Sequence, residues 1–305
     1  MTLQQLRFLA AVFESDFNIT AAAAKLNATQ PAVSRQIQLL EQELGFTLFS
    51  RNGSALSRVT PAGARVIEHA RRVLRETQNI SNVGVELNDP ARGALRLAAT
   101  HSEARYLLPS ITGAFRTRFP KVQLSLHEGA LDEIAEMARA ERVDLVVASG
   151  SHGGFDKFVQ LPVRRLEPRL VVPRTHTLAS VSQPTLAQIA AFPVAAHVLT
   201  QTDETYLREV FSRAGADVHL ALQSRDADLV KTYVRHGIAV GLIADLALEP
   251  ARDEDLAFID VAALFGAQTI WAGIAKDGPL RAPVYEFIGL LAPFLTRERI
   301  DGTRT

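Results

Sequence analysis

The chain has 305 residues, 47% hydrophobic and 22% charged, with 33 basic and 33 acidic side chains and no cysteine. That length suits two or three domains, and that composition excludes a disordered chain. Zero net charge excludes a whole-molecule field drawing nucleic acid or membrane, and absent cysteine excludes disulfides, thiol nucleophiles and thiolate metal sites.

The opening "MTLQQLRFLAAVFESDF" lacks a basic start before an apolar run and a small-residue cleavage site, so it does not read as a signal peptide. The longest apolar run, around "IAVGLIADLAL", is too short to span a bilayer and carries Asp245. A cytoplasmic protein with no membrane partner is expected. Charge is unevenly spread: residues 1–75 hold nine basic and five acidic side chains, a local balance of +4.

Leu3, Leu6, Phe8, Leu9, Val12 and Phe13 recur at helical spacing and predict a first amphipathic helix. Asp16, Phe17 and Asn18 break it, and Asn18 can cap a second helix from Ile19 to Leu26. Asn27 suits the turn that follows. Thr29 or Gln30 can cap a third helix, with Pro31 in its first turn, where no amide hydrogen is missed, and Gly45 as its stop.

Val33, Ile37, Leu40 and Leu44 form the inward stripe of that third helix, leaving Gln30, Ala32, Ser34, Arg35 and Gln38 on other faces. A guanidinium, amides, a hydroxyl and a small methyl are the groups that read base edges and phosphates. Two short helices with a tight break hold the third out toward a DNA major groove, as in a helix-turn-helix. The competing reading is an ordinary helical hairpin with a solvated polar face. After Gly45, Phe46, Leu48 and Phe49 are expected to point inward. Asn52-Gly53 marks a hairpin, and Arg51 and Arg58 flank it as a wing near phosphates.

The strings "LQQLRFLAAVFES" and "NITAAAAKLNATQPAVSRQIQLLEQELGFTLFSRNGSALSRVTPAG" resemble the LysR-type transcriptional regulators, and the likeness runs over essentially the whole chain. The resemblance implies an α plus α/β fold: a winged helix-turn-helix at residues 1–60, a dimerising linker helix and hinge at 61–92, and an effector-binding domain at 93–305. It implies no enzyme activity. Its partners would be double-stranded promoter DNA, RNA polymerase and further copies of the chain, as a homodimer or homotetramer. The DNA-reading residues would be Gln30, Pro31, Ala32, Ser34, Arg35, Gln38, Arg51 and Arg58.

Thr60 can cap a long helix beginning at Pro61. Val66, Ala70, Val73, Thr77, Ile80, Gly84 and Leu87 alternate spacings of three and four, as in a coiled-coil seam. Asp89-Pro90 ends it, so residues 89–93 read as a hinge.

From Ala94 strands alternate with helices, which argues for parallel α/β units. "ALRLAAT", "VQLSLHEG" and "VDLVVAS" are strands of a first set, and "RLVVP", "FPVAAHV", "HLALQ" and "AVGLI" of a second. "TIWAGIAK" and a helix from Arg281 to Leu295 close the chain. Two lobes joined by two crossovers resemble the periplasmic-binding-protein fold that the family uses, with lobe one at 93–163 and 266–305 and lobe two at 164–265.

Ligands of open α/β sheets sit beyond the carboxyl ends of strands, beside helix N-termini. Thr100 and Ser102, Ser149, and Thr202 fall at three such places, although a hydroxyl there can equally be a plain helix cap. Ser102 is expected to be such a cap. "ATHSEARYLLP", "DADLVKTYVRHGIAVGLIADLA" and "FSRAG" are similar to the CysB/Cbl branch of the family. That likeness implies a sulfur-linked effector, sulfate or an O- or N-acetylserine, held by Thr100, Ser102, Ser149 and Thr202, with no other cofactor. One residue departs from the branch: Glu103 stands where a neutral amide is usual. Two like charges about 4 Å apart cost roughly 4 kcal/mol at an effective dielectric near 20, about three decades in affinity for a dianion. Either Glu103 turns away, or it is protonated with the ligand, or the ligand brings a donor.

The eight histidines lack metal-ligand spacing. "SGSHGG" at 149–154 lacks the lysine of a phosphate loop, and no G-x-S-x-G elbow occurs, so no catalytic or metal site is assigned.

Overall fold

The computed structural model describes residues 1–52, 55–88, 93–150, 154–198 and 201–304, without the side chains of 55, 79, 82, 83, 85–88, 201 and 202. The expected turn at Gly53, the hinge at 89–92, and residues 151–153 of the glycine-rich run lie outside them. The chain divides into two units, Met1–Asp89 and Pro90–Thr305.

The first unit holds α1 (Leu3–Glu14), α2 (Ile19–Lys25), α3 (Gln30–Leu44), the antiparallel hairpin β1 (Phe49–Asn52) and β2 (Ala55–Val59), and α4 (Pro61–Asn88). Thr2 and Gln5 close a reciprocal capping box on α1, and the Asn18 side chain accepts the Ala21 amide at 3.0 Å to start α2. Thr29 sits at the cap position of α3 but makes no side-chain cap bond. Gly45 ends α3 at φ 77°, a conformation open to glycine. Val33, Ile37 and Leu40 from α3 pack with Leu9, Val12, Ala22, Leu48 and Phe49. Phe46 differs from expectation: it is 41% exposed, and only Leu48 and Phe49 enter the core. The Glu41 side chain explains the turn, because it accepts the amides of Leu48 at 2.7 Å and Phe49 at 3.2 Å.

The first turns of α4 belong to this same core. Ile67 and Ala70 are buried in it, so Ala70 is withdrawn from the expected seam. Val73 and Ile80 are 41% and 70% exposed along the helix.

The second unit is built on two five-stranded sheets. In chain order it runs β3 (Gly93–Ala99), a π-helical turn (Glu103–Leu107), α5 (Leu108–Arg118), β4 (Val122–Glu128), α6 (Leu131–Arg139), β5 (Leu145–Ser149), β6 (Phe158–Leu166), β7 (Pro168–Pro173), α7 (Leu186–Ala190), β8 (Val194–His197) and α8 (Gln201–Arg213). Then follow β9 (Leu220–Ser224), α9 (Ala227–Arg235), β10 (Val240–Ala244), β11 (Leu256–Asp260), α10 (Ala262–Phe265), β12 (Gln268–Ala275), α11 (Ala282–Leu291) and α12 (Arg297–Gly302).

Sheet one has the order β4-β3-β5-β12-β6 and sheet two β11-β7-β10-β8-β9. Each pairs in parallel on one side and antiparallel on the other: β3 runs parallel to β4 and β5, β8 to β9 and β10, while β12 and β6, and β7 and β11, add antiparallel. Helices cover both faces. Phe115 of α5 and Phe287 of α11 pack on one side of sheet one, Ile134 of α6 on the other. Phe211 of α8 and Val230 of α9 do the same for sheet two.

β6 stays in sheet one through Leu166, so the first crossing between sheets falls at Glu167, not after residue 163. There the Glu167 amide donates to Asp245 Oδ1 at 3.1 Å, and Arg164 reaches the same carboxylate at 2.8 Å. The second crossing lies between α10 and β12.

Candidate functional site

Two places gather the candidate residues. The first is α3 and the hairpin after it. Gln30, Pro31, Ala32, Arg35 and Gln38 are exposed, and Ser34 is half-buried. Burial of Val33, Ile37 and Leu40 on the opposite face fixes this presentation. Arg35 and Gln38 have no partner among the described residues, so their donors are available to an incoming acceptor. Arg51 and Arg58 are exposed on the hairpin, Arg51 lying 3.9 Å from Glu41.

The second place is a cavity of about 50 Å³ between the lobes of the second unit. Lobe one supplies Ser102, Glu103 and Ser149; lobe two supplies His197, Asp203 and Ala227. The carboxyl ends of β3, β5 and β8 converge here, as the α/β topology requires. A second cavity of about 120 Å³ shares Leu166, His197, Asp203, Ala244 and Gln268 and adds the apolar Leu207, Leu242 and Phe265.

Ser102 does not cap a helix: its backbone is helical and its side chain makes no cap bond. Its Oγ lies 3.0 Å from Nε2 of His197 across the cleft. The same Nε2 is 3.1 Å from the Arg225 carbonyl, which only accepts, so Nε2 carries the hydrogen. Burial pushes the His197 ring below its ordinary range, against the Arg225 carbonyl and nearby carboxylates, so it stays neutral.

Glu103 does not turn away. It is fully buried, and Thr100 Oγ1 donates to its Oε2. Oε1 has no donor in close hydrogen-bond geometry, although the Ser149 hydroxyl also faces the carboxyl group. Burial pushes its pKa up, with the Thr100 and Ser149 hydroxyls opposing that rise. Thr100 therefore touches Glu103 rather than the small cavity, and lines instead a neighbouring one of about 210 Å³ with His101, Glu128 and Asp226. Thr202 lies in the first turn of α8, its side chain outside the described residues.

Sequence reasoning missed His197, Asp203 and Gln268. His197 ends a strand, the same rule that singled out Ser149, and that signal could have found it. It also missed a charged contact between the lobes beside the cleft. Arg105 and Tyr106, from the π-helical turn, both bond Asp228 at the start of α9, Tyr106 at 2.9 Å. Lys231, 1% exposed, lies 2.9 Å from both Asp228 and Asp253.

An exposed polar helix face on one unit and an inter-lobe cavity on the other have a counterpart among known proteins. Residues 3–64 match the bacterial regulatory helix-turn-helix protein, lysR family, and residues 88–295 the LysR substrate binding domain. The chain is a LysR-type transcriptional regulator. The regulator is 35% identical to the HTH-type transcriptional regulator CysB of Burkholderia cenocepacia, over 99% of its own chain and 96% of that protein. It is also 35% identical to SsuR of the same organism, over 99% and 98%. The solved cofactor-binding domain of the Cbl transcriptional regulator is 33% identical, with a TM-score of 0.64, covering 69% of this regulator and 92% of that chain. The family consists of transcription regulators and not enzymes. Among the described residues no helix is long and apolar enough to cross a membrane.

Proposed function

We propose that this regulator reads promoter DNA with α3 and the β1–β2 wing, and that a small sulfur-linked metabolite bound between its lobes modulates that binding. Sulfate, O- or N-acetylserine and related compounds are the candidates. The observation that carries this reading is the cavity itself. Its walls come from both lobes, so an occupant that binds one lobe arrangement better than another shifts their balance by that difference in affinity. Likeness to CysB, SsuR and Cbl supports the sulfur link.

In this reading Gln30, Pro31, Ala32, Ser34, Arg35 and Gln38 face the major groove, and Arg51 and Arg58 the phosphates. The exposed Val73 and Ile80 of α4 support self-association, as a dimer and, by the family likeness, a homotetramer. Such a protein works in the cytoplasm with RNA polymerase and needs no cofactor beyond its effector. A gel shift on the regulator's own upstream DNA, with and without sulfate, thiosulfate and the acetylserines, tests this. A retarded band that one compound alters is expected. No specific retardation at low ionic strength would overturn it.

A further inference from the structure

We propose that the π-helical turn is a latch between the lobes: Arg105 and Tyr106 grip Asp228 of lobe two, and through that grip hold Ser102 and Glu103, at the start of the same turn, in place at the cavity. This rests on reading the lobe arrangement as the carrier of the regulator's signal.

Glu103–Leu107 wind as a π-helical turn, a rare geometry that concentrates at functional sites. The turn faces two ways. Ser102, at its start, and Glu103 line the small cavity. A little further on, the Tyr106 hydroxyl donates to Asp228 Oδ1 at 2.9 Å, and the Arg105 guanidinium donates to Oδ2 of the same carboxylate. The Tyr106 ring packs against the core clusters of both lobes, and Lys231 Nζ lies 5.9 Å from its centroid. Arg105, Tyr106 and Asp228 do not line the cavity, so an occupant acts on the grip through the turn rather than by contact.

The grip can release at little cost. Asp228 has a third partner, Lys231 Nζ at 2.9 Å from Oδ1, three residues along its own helix α9. That lysine is also held by Asp253 at 2.9 Å and by the Ala247 carbonyl at 3.0 Å, all within lobe two. Parting the lobes therefore takes two donors from Asp228 but leaves it a paired carboxylate, and returns the Tyr106 hydroxyl and the Arg105 guanidinium to water. The two bonds are unequal. The Arg105 side chain is 39% exposed, so solvent screens its pair. The half-buried Tyr106 hydroxyl, on a charged acceptor, carries most of the preference. The Ser102–His197 bond crosses the cleft as well, but both of its residues line the cavity, where an occupant competes for it.

The test is the distance between the lobes, measured in the full chain by double electron–electron resonance. The sequence has no cysteine, so Glu136→Cys on α6 and Ser212→Cys on α8 place one exposed spin label on each lobe. Dilution with unlabelled protein isolates the pair within one chain. Wild type is expected to show one dominant distance. Tyr106→Phe keeps the ring and deletes only the hydroxyl, and is expected to lower the ratio of latched to parted lobes about tenfold. Adding Arg105→Gln should lower it further and populate a second distance. The wild-type distance alone in both variants would overturn the proposal, even where they melt earlier, because a mere packing role lowers the melting point without parting the lobes. Tyr106→Phe by itself decides this if the double variant does not fold. A promoter gel shift on the same preparations separates the two readings: unchanged distances with intact DNA binding sink only the latch, and a second distance in protein whose wild type binds no promoter supports the latch and sinks only the proposed function.

Discussion

Ser102 on lobe one and His197 on lobe two meet at 3.0 Å, Oγ to Nε2, directly across the cleft. The hydroxyl thus tests both the lobe arrangement and the ligand. Ser102→Ala removes this bond and, in the proposed site, one donor to the ligand, each worth about 1 kcal/mol or somewhat more. Effector affinity measured by calorimetry is expected to fall about tenfold. Effector-free promoter binding, measured by fluorescence anisotropy, is expected to stay the same, because α3 is untouched.

Glu103 makes the effector domain sensitive to pH in a stated direction. Burial raises its pKa, so its contribution is most favourable below the unfolded value of roughly 4.3 and is lost as pH climbs through the folded one. Glu103→Gln abolishes that titration. The ligand-free variant should melt above wild type at pH 7, and the gap should close toward pH 4. The neighbouring His101, His197, Asp203 and Asp245 remain in both proteins, so the difference isolates Glu103. A gap independent of pH would contradict the assignment.

Lys231 is the buried hub of lobe two. Burial works against the charge on Asp253, yet the Lys231 bond, the Glu249 amide and Arg235 hold its pKa below the usual carboxylate range. Asp228 is held down likewise, by Lys231 and Tyr106 against its own burial. Stability from both is present above roughly pH 3.9 and lost as pH falls through their folded values. Lys231→Met removes one partner of a buried pair and should cost about 3 kcal/mol in urea unfolding of the full chain. Acid unfolding should also begin at a higher pH than in wild type.

Gly63 tests the join between α4 and the reading unit. A Cβ there would lie 2.1 Å from the carbonyl oxygen of Leu48, which is backbone and has no rotamer to yield. Gly63→Ala should therefore destabilise the first unit by about 1–3 kcal/mol, read from its thermal transition.

Much of this architecture was legible because local chemistry agreed with the fold. Asn18, Pro31 and Gly45 punctuate the helices where capping rules put them. The fully buried β5 reads as a continuous apolar run. β6 was illegible because "FVQLPVRRL" carries Pro162, which normally breaks a strand. It is tolerated because β6 lies at the edge of sheet one. β11, a five-residue edge strand after a charged loop, was missed similarly. The π-helical turn left no pattern, although Pro109 begins the helix that follows it. The Ser102–His197 pairing spans 95 residues, and no local periodicity carries it.

Arg35 is the most exposed test of the reading helix. Arg35→Ala should weaken specific promoter binding by about 1–3 kcal/mol and relax sequence preference, if its guanidinium forks onto a base edge. Equal loss on promoter and random DNA would instead make it a phosphate contact.

In the proposed function, occupancy of the inter-lobe cleft alters how the reading heads engage DNA. Footprinting of the regulator on its own promoter, with and without the compound that calorimetry shows to bind, tests it most directly. The protected region is expected to change in extent or position in wild type and to stay fixed in Ser102→Ala at the same ligand concentration. Identical footprints with and without a bound ligand in wild type would contradict the account.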